Sequence, residues 1–304
     1  MKAIGVRVAL FSAYFLFAIL LNSVGTVILQ AIATFGVTKS DASILEAFKD
    51  LPIALVSFAV ASLLPRFGYR KAMIFAFATV AVACLAMPIA PGFLTTKFFF
   101  LAIGASFALI KVAVYSTIGL ITTGQNHHAS FLNTIEGFFM IGVLSGYWVF
   151  AAFIDADAPA SLGWLNTYWL LAAVAAGNAV MLMFVAFPRA PIATGAGIID
   201  EIGEMLKLMW RPSVLVFVIA AFLYVLIEQG IGTWLPTFNN EVLHLPQAMS
   251  VQAASIFAAA LAIGRLSAGL VLQRLNWFWL LNICVISMAV LILLTLPLAR
   301  GIQS

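Results

Sequence analysis

The stretch that decides the fold is Ala61-Ser62-Leu63-Leu64-Pro65-Arg66-Phe67-Gly68-Tyr69-Arg70-Lys71. It is a short basic turn with a glycine in it, and it lies between two apolar runs at about 44–65 and 72–91. Each run is long enough to cross a bilayer as a helix, because about 20 residues suffice. Lys and Arg collect in the loops on the cytoplasmic side of a membrane. The stretch therefore predicts two spanning helices joined by a tight turn at the inner surface.

The rest of the chain repeats this pattern. Of its 304 residues, 64% are apolar and only 9% are charged, whereas a soluble domain is about half apolar and a quarter charged. This composition excludes a water-soluble enzyme, and the long continuous runs exclude the alternating pattern of an outer-membrane barrel. We predict an all-α membrane protein of nine spans at about 8–33, 44–65, 72–91, 97–123, 129–153, 163–187, 213–235, 249–272 and 277–298.

The distribution of Lys and Arg predicts the orientation. With the N-terminus in the cytoplasm, nine basic residues lie on the inner side and four on the outer side, as the positive-inside rule requires. The first apolar run is too long for a cleavable signal peptide, so it is interpreted as the first span. We expect an integral, multi-pass protein of a bacterial inner (plasma) membrane, and the net charge of +4 follows from this bias and not from nucleic-acid binding.

The spacing of the runs predicts a duplicated unit. The interval from the first span to Arg66 resembles the interval from the seventh span to Arg274. We divide the chain into a six-helix bundle at 1–187, a cytoplasmic linker at 188–212 and a partial bundle of three helices at 213–304. Residues 198–210 of the linker are expected to form an amphipathic surface helix, with a plain linker as the alternative. A second unit as long as the first would need three more helices.

Residues 61–71 also resemble a known signature. The major facilitator superfamily carries, between its second and third helices, the pattern Gly, x, Leu, x, Asp, Arg, x, Gly, Arg and two further bases. Leu63, Arg66, Gly68, Arg70 and Lys71 match this pattern, whereas Pro65 stands where the acid is usual. The segment Gly264-Arg265-Leu266-Ser267-Ala268-Gly269, followed by Arg274, is similar to the second-half counterpart.

The resemblance implies a fold and a set of conformational residues. It implies the first nine of twelve helices in a major-facilitator-like bundle, with the fucose-permease-like branch of sugar/proton symporters as the weakly nearest branch, through 222–225 and Asn133. The signature acid pairs across the two halves in the family, so Pro65 implies that this latch is missing or built differently. The resemblance implies conformational gating by Arg66, Gly68, Arg70, Lys71, Arg265 and Arg274.

Two charged residues within spans are expected to face a central cavity, because charge inside a bilayer is costly. Lys111 lies near the middle of the fourth span, and Glu136 lies in the fifth at a depth that differs by about 7–8 Å. We predict an ion pair between them. It is either part of a substrate site, since transporter sites lie near the membrane midplane, or a structural clamp between helices. A cation at position 111, where the fucose-permease branch has an acid, indicates an anionic substrate.

The other candidate substrate-binding residues are polar groups within spans. Glu228 and Gln229 precede Gly230 and Gly232, and Pro236 is expected to end the seventh span, so an acid lies beside a broken helix. Glu228 is expected to exchange a proton as the cavity alternates, or else to reach the outer interface. Asn22, Gln30 and Asn133 either line the cavity or form hydrogen bonds between helices.

The end of the second span offers a weaker candidate. Ser43 and Glu46 fit a capping box, and Lys49 is expected to snorkel to the surface; a substrate role for Glu46, Lys49 and Asp50 is the alternative. No metal site is expected, because the adjacent His127 and His128 point apart. No cofactor is expected either.

The leading hypothesis is a secondary active transporter of a small polar solute, such as a sugar, an organic anion or a related metabolite, with protons as a second partner. No GxxxxGK[ST] loop is present in the sequence, which disfavours direct use of ATP. The alternative is a non-transporting scaffold or assembly protein, or a truncated relative, with the same fold. An intramembrane enzyme is disfavoured because no catalytic pair is visible. The sequence leaves the oligomeric state open.

Overall fold

The structure is a computed structural model that describes residues 2–155, 157–188, 203, 207, 210–271 and 275–301. Every regular element among these residues is a helix. The helices are α1 (Lys2–Asn22), α2 (Val24–Phe35), α3 (Lys39–Phe67), α4 (Tyr69–Ile89), α5 (Phe93–Ile121), α6 (Gln125–Ala151), the short 3₁₀ turn Gly163–Asn166, α7 (Thr167–Phe184), α8 (Pro212–Glu241), α9 (Gln247–Val271) and α10 (Trp277–Gly301).

All nine predicted spans are helical, with α1 and α2 together forming the first. Seven stretches among the described residues are long and apolar enough to cross a membrane. The helix α3 carries charged residues in its first turns and is mostly apolar from Leu51 to Leu64. In α10 the apolar stretch among the described residues is shorter, at Phe278–Leu294. The protein is therefore an integral, multi-pass membrane protein. The predicted surface helix at 198–210 falls largely outside the described residues.

The turn at Gly68 joins α3 and α4 as predicted. Gly68 has a φ of 95°, a conformation that side chains with a Cβ rarely adopt. Its N–H donates to the carbonyl of Leu64 at 2.8 Å and closes the last turn of α3. We call this side of the bundle the Gly68 end. The opposite side, with the turn at 36–38, is the Gly36 end.

The start of α3 differs from the prediction. The helix begins at Lys39, one turn before Ser43, and its cap is Thr38, whose hydroxyl accepts from the N–H of Asp41 at 3.1 Å. The predicted capping box of Ser43 and Glu46 is therefore wrong. Thr38 and Asp41 offer the same local chemistry one turn earlier, and Glu46 makes its contacts inside the protein instead.

The seventh span does not contain the helix break that was predicted there, whereas the first span does contain an interruption. The helix α8 is continuous from Pro212 to Glu241 and passes through Pro236, which transmembrane helices tolerate when neighbouring groups satisfy the freed backbone. In the first span, α1 ends at Asn22 and α2 begins at Val24. At this break the Ser23 hydroxyl donates to the carbonyl of Leu20 at 2.7 Å.

The first seven helices pack closely around aromatic side chains. The most extensive helix–helix contacts are those of α3 with α5, of α4 with α5 and α7, and of α1 with α6. A Cβ on Gly104 of α5 would lie 2.1 Å from the carbonyl oxygen of Lys49 on α3, so these two backbones touch. Likewise Gly142 of α6 lies against Phe15 of α1. The helices α8 and α9 join the bundle through α2 and α6.

Candidate functional site

A cavity of about 490 Å³ opens between α1, α3, α5, α6 and α8. Its lining includes four residues that carry formal charge and two amides: Asn22, Lys49, Asp50, Lys111, Glu136 and Gln229. Aromatic side chains of α1, α5 and α6 complete the wall, namely Tyr14, Phe107 and Phe139. In a chain with 9% charged residues, so many ionisable groups around one cavity inside the bundle mark it as the candidate site.

Lys49 lies at the centre of a group of acids. It is only 4% exposed, and its ammonium nitrogen lies 2.7 Å from Glu46 Oε2 and 3.5 Å from Asp50 Oδ1. Glu46 also accepts a hydrogen bond from the Thr233 hydroxyl of α8. The prediction that Lys49 snorkels to the surface is therefore wrong, because the close approach of α5 at Gly104 covers this part of α3.

Lys111 and Glu136 line the same cavity but do not form the predicted ion pair. Glu136 Oε1 instead accepts from the hydroxyl of Tyr115 at 2.6 Å. Tyr115 is one turn beyond Lys111 on α5, about 6 Å along the axis, and so it makes up most of the difference in depth between Lys111 and Glu136. The Lys111 ammonium lies over the Phe107 ring, 5.9 Å from its centroid.

A smaller cavity of about 100 Å³ adjoins the first. It is lined by both Glu228 and Gln229 of α8, and it shares Asn22, Phe139 and Gln229 with the larger cavity. Asn22 lies at the break in the first span. Its amide nitrogen donates to the carbonyl of Ala18 at 2.9 Å, and this hydrogen bond fixes the orientation of the side chain. Five of the seven predicted substrate-binding residues thus line two adjacent cavities.

Gln30 and Asn133 line neither cavity. Gln30 is 1% exposed, and its amide donates to Gln247 Oε1 of α9 at 2.9 Å, which is the interhelical alternative of the sequence analysis. Asn133 is exposed on α6.

The predicted gating residues of the signature lie at the Gly68 end. Arg70 donates to the carbonyl of Met183 at the end of α7 and so ties α4 to α7, whereas Arg66 and Lys71 are exposed. Arg265 lies on α9 with a side chain outside the described residues, and Arg274 lies outside them altogether.

Several contacts between α8–α9 and the earlier helices, among the residues that the structure describes, lie at the Gly36 end. A Cβ on Gly25 of α2 would lie 2.4 Å from the carbonyl oxygen of Thr233 on α8. Thr233 also donates to Glu46, Gln30 bonds Gln247, and an exposed ion pair joins Lys39 to Glu241. The first half of α8, at the Gly68 end, is exposed along 215–219 and 222–227.

The sequence model of the Major Facilitator Superfamily matches residues 10–302, nearly the whole chain. The chain belongs to the major facilitator superfamily. Membership makes this protein a secondary transporter and not an enzyme. No curated protein matches it in sequence. Among solved structures, the major facilitator fold is shared with a D-xylose–proton symporter at a TM-score of 0.66 and 15% identity, over 90% of this chain and 70% of that one.

Lys49 and Asp50 of this major facilitator line the cavity, although only a weaker substrate role was predicted for them. Tyr14 also lines it and Tyr115 bonds Glu136, and neither tyrosine was predicted as a site residue. A usable signal was present for α3: Lys49, Ile53 and Ser57 recur at a spacing of four residues, which places them on one helix face. All three line the larger cavity together with Asp50. The tyrosines carried no comparable signal, because a tyrosine in a span is also typical of packing.

Among the described residues, no group of three or more His, Cys, Asp or Glu side chains is placed to hold a metal ion. Cys84 is buried and Cys284 is exposed, and both are free thiols.

Proposed function

We propose that this protein moves a small polar solute, such as a sugar or an organic anion, across a bacterial inner membrane together with protons. The observation that carries the proposal is the larger cavity, where Lys49, Asp50, Lys111 and Glu136 face one space between helices of both predicted units. Ionisable groups are retained inside a membrane where they bind substrates or carry protons. Family membership supports the same reading.

Alternating access accounts for the distribution of contacts. With the N-terminus in the cytoplasm, the Gly36 end faces outward, and its helices are tied by the Gly25–Thr233 contact and by the Gln30–Gln247 bond. The ties at this end correspond to an inward-facing state, in which 1–187 and 213–304 form the two moving units. Transport would then require that the ties at the Gly36 end separate.

Protons have candidate carriers in both cavities. Glu136 and Asp50 line the larger cavity, and Glu228 lines the smaller one. An acid that faces water on alternate sides of the membrane can bind a proton on one side and release it on the other. Glu228 on α8 and Glu136 on α6 lie on different predicted units, so movement of the units would change the surroundings of each.

The test uses purified full-length protein in proteoliposomes. An inward proton gradient is imposed, and uptake is followed for a panel of radiolabelled sugars and organic acids, with and without an uncoupler. We expect gradient-driven uptake of at least one solute, abolished by the uncoupler. Glu228→Gln should lose the dependence on the gradient, whereas Asp157→Asn, at an exposed acid in the loop before α7, should behave as wild type. Uptake that ignores the gradient would refute proton coupling, and no uptake of any solute would refute transport.

A further inference from the structure

We propose that the solute is a small hydroxylated organic anion with one carboxylate, of the sugar-acid class, and that its carboxylate binds the ammonium of Lys111. This inference rests on the proposed function and names the substrate class of the same cavity.

The first argument is the charge state of the cavity. Lys49 already has two carboxylate neighbours, Glu46 at 2.7 Å and Asp50 at 3.5 Å, so its charge is neutralised within the protein. Lys111 has no carboxylate within 4 Å among the described residues. The Lys111 ammonium lies over the face of Phe107. An aromatic face attracts a cation but leaves ammonium N–H groups available to other acceptors. Lys111 is thus the cavity cation whose counter-charge is not supplied by a described side chain.

The second argument is depth. The same helix carries Lys97, whose ammonium lies 4.7 Å from the centroid of Phe93, so both lysines lie over a phenylalanine four residues earlier. Lys97 stands in the first turns of α5, beside the turn at 90–92. Lys111 lies 14 residues further along α5, about 21 Å deeper. A cation at the start of the helix reaches the membrane surface, whereas one at that depth needs a reason for its position.

The third argument is the rest of the lining, which fits a hydroxylated body. The amides of Asn22 and Gln229 and the hydroxyl of Ser57 face the cavity. The Tyr14 hydroxyl is buried beside Tyr115 and forms no geometrically defined hydrogen bond to the part of the chain that the structure describes. The Tyr14 side chain lines this cavity. These groups can bond several hydroxyls at once, while aromatic rings pack on the C–H faces of a sugar-like body.

The two acids of the lining restrict the charge of the solute. Asp50 and Glu136 can accept hydrogen bonds from solute hydroxyls. Each would repel any negative charge that the solute carries beyond the one bound to Lys111. One cation without a carboxylate partner and two acids in one space favour a single carboxylate over a phosphate ester or a dicarboxylate. A neutral sugar would leave Lys111 without an anionic partner.

The experiment measures binding to purified full-length protein in detergent, separately from transport. The probes are D-gluconate and D-glucuronate, with D-glucose as the neutral counterpart and glucose 6-phosphate as the doubly charged one. Affinity is obtained by isothermal titration and by the ligand-induced shift in melting temperature. We expect gluconate or glucuronate to bind at least tenfold more tightly than glucose or glucose 6-phosphate.

Matched lysine variants test the assignment to Lys111. Lys111→Met should weaken binding of the sugar acid at least tenfold, Lys111→Arg should retain most of it, and Lys97→Met should match the wild type. Lys111→Arg keeps the test decisive if the methionine variant does not fold. Equal affinity in Lys111→Met and wild type, or no binding of either sugar acid, would overturn the proposal. Gradient-driven uptake of a neutral sugar alongside that result would leave the transport function standing and exclude only the anion.

Discussion

Gly25 is where a single added methyl group should loosen the Gly36 end of the bundle. In Gly25→Ala the new Cβ would lie 2.4 Å from the Thr233 carbonyl oxygen and 3.0 Å from its carbonyl carbon, against 3.4 Å or more for an ordinary contact. The groups that it meets belong to the backbone of α8, so no change of rotamer can relieve the clash. The helices α2 and α8 must separate by roughly 1 Å to relieve it.

The size of the effect follows from this clash. Forcing an extra carbon into a packed contact costs about 1–3 kcal/mol. Under the proposed alternating access, the contact exists only while the Gly36 end is closed. The cost then falls on that state, and its population relative to the open state should drop about 5- to 150-fold. Alanine also favours helix over glycine by about 0.5–1 kcal/mol. This second term is isolated by Gly230→Ala on α8, where no heavy atom lies within 4 Å.

The assay is a spin-label distance across the Gly36 end. Labels at Ser43 of α3 and Met249 of α9, both exposed, are introduced after the exposed Cys284 is replaced by serine. We expect Gly25→Ala to add a population at longer distance that neither the wild type nor Gly230→Ala shows. Identical distance distributions in all three proteins would refute the view that this contact holds the end closed.

Two further predictions concern single contacts of the bundle. Tyr115→Phe removes the 2.6 Å hydrogen bond to Glu136 and should lower the free energy of unfolding by about 1–3 kcal/mol; an unchanged melting curve would show that this bond does not contribute. Gly104→Ala places a Cβ 2.1 Å from the Lys49 carbonyl oxygen and should lower the melting temperature well below that of Gly177→Ala, whose Cβ would meet no heavy atom within 4 Å. Equal melting temperatures would mean that α3 and α5 are not in close contact.

The helices were predictable because a bilayer imposes a local rule. Each span needs about 20 apolar residues, and that requirement can be counted along the chain without knowledge of any contact. The turn at Gly68 was predictable for a similar reason, since a glycine among basic residues satisfies a local backbone need. The start of α3 was not predictable, because Thr38 and Ser43 each lie three residues before an acid and either could cap the helix. Which of them does so depends on whether Glu46 contacts the helix N-terminus or residues inside the bundle.

The candidate site was predictable in depth but not in pairing. Counting residues from a turn placed Lys111 and Glu136 near one another, and the structure has both in one cavity. Which side chain reaches Glu136 depends on rotation about the helix axes, and Tyr115 is better placed. The burial of Lys49 depends on Gly104, which lies 55 residues away in the sequence. A contact between residues so far apart in the sequence cannot be predicted from a local sequence pattern.

The interruption at Ser23 has a mechanical consequence for the first span. On the N-terminal side of Ser23, α1 packs against α6 where Phe15 meets Gly142. On the C-terminal side, α2 packs against α8 where Gly25 meets Thr233. A displacement of α8 relative to α6 therefore has to bend the span at Ser23 or detach one of these two anchors. Bending at Ser23 is expected to be the cheaper route, since the regular helix is already interrupted at this residue. Faster amide exchange around Ser23 than in the middle of α1 would show that the span flexes at this point, and equal exchange would show that it moves as a rigid rod.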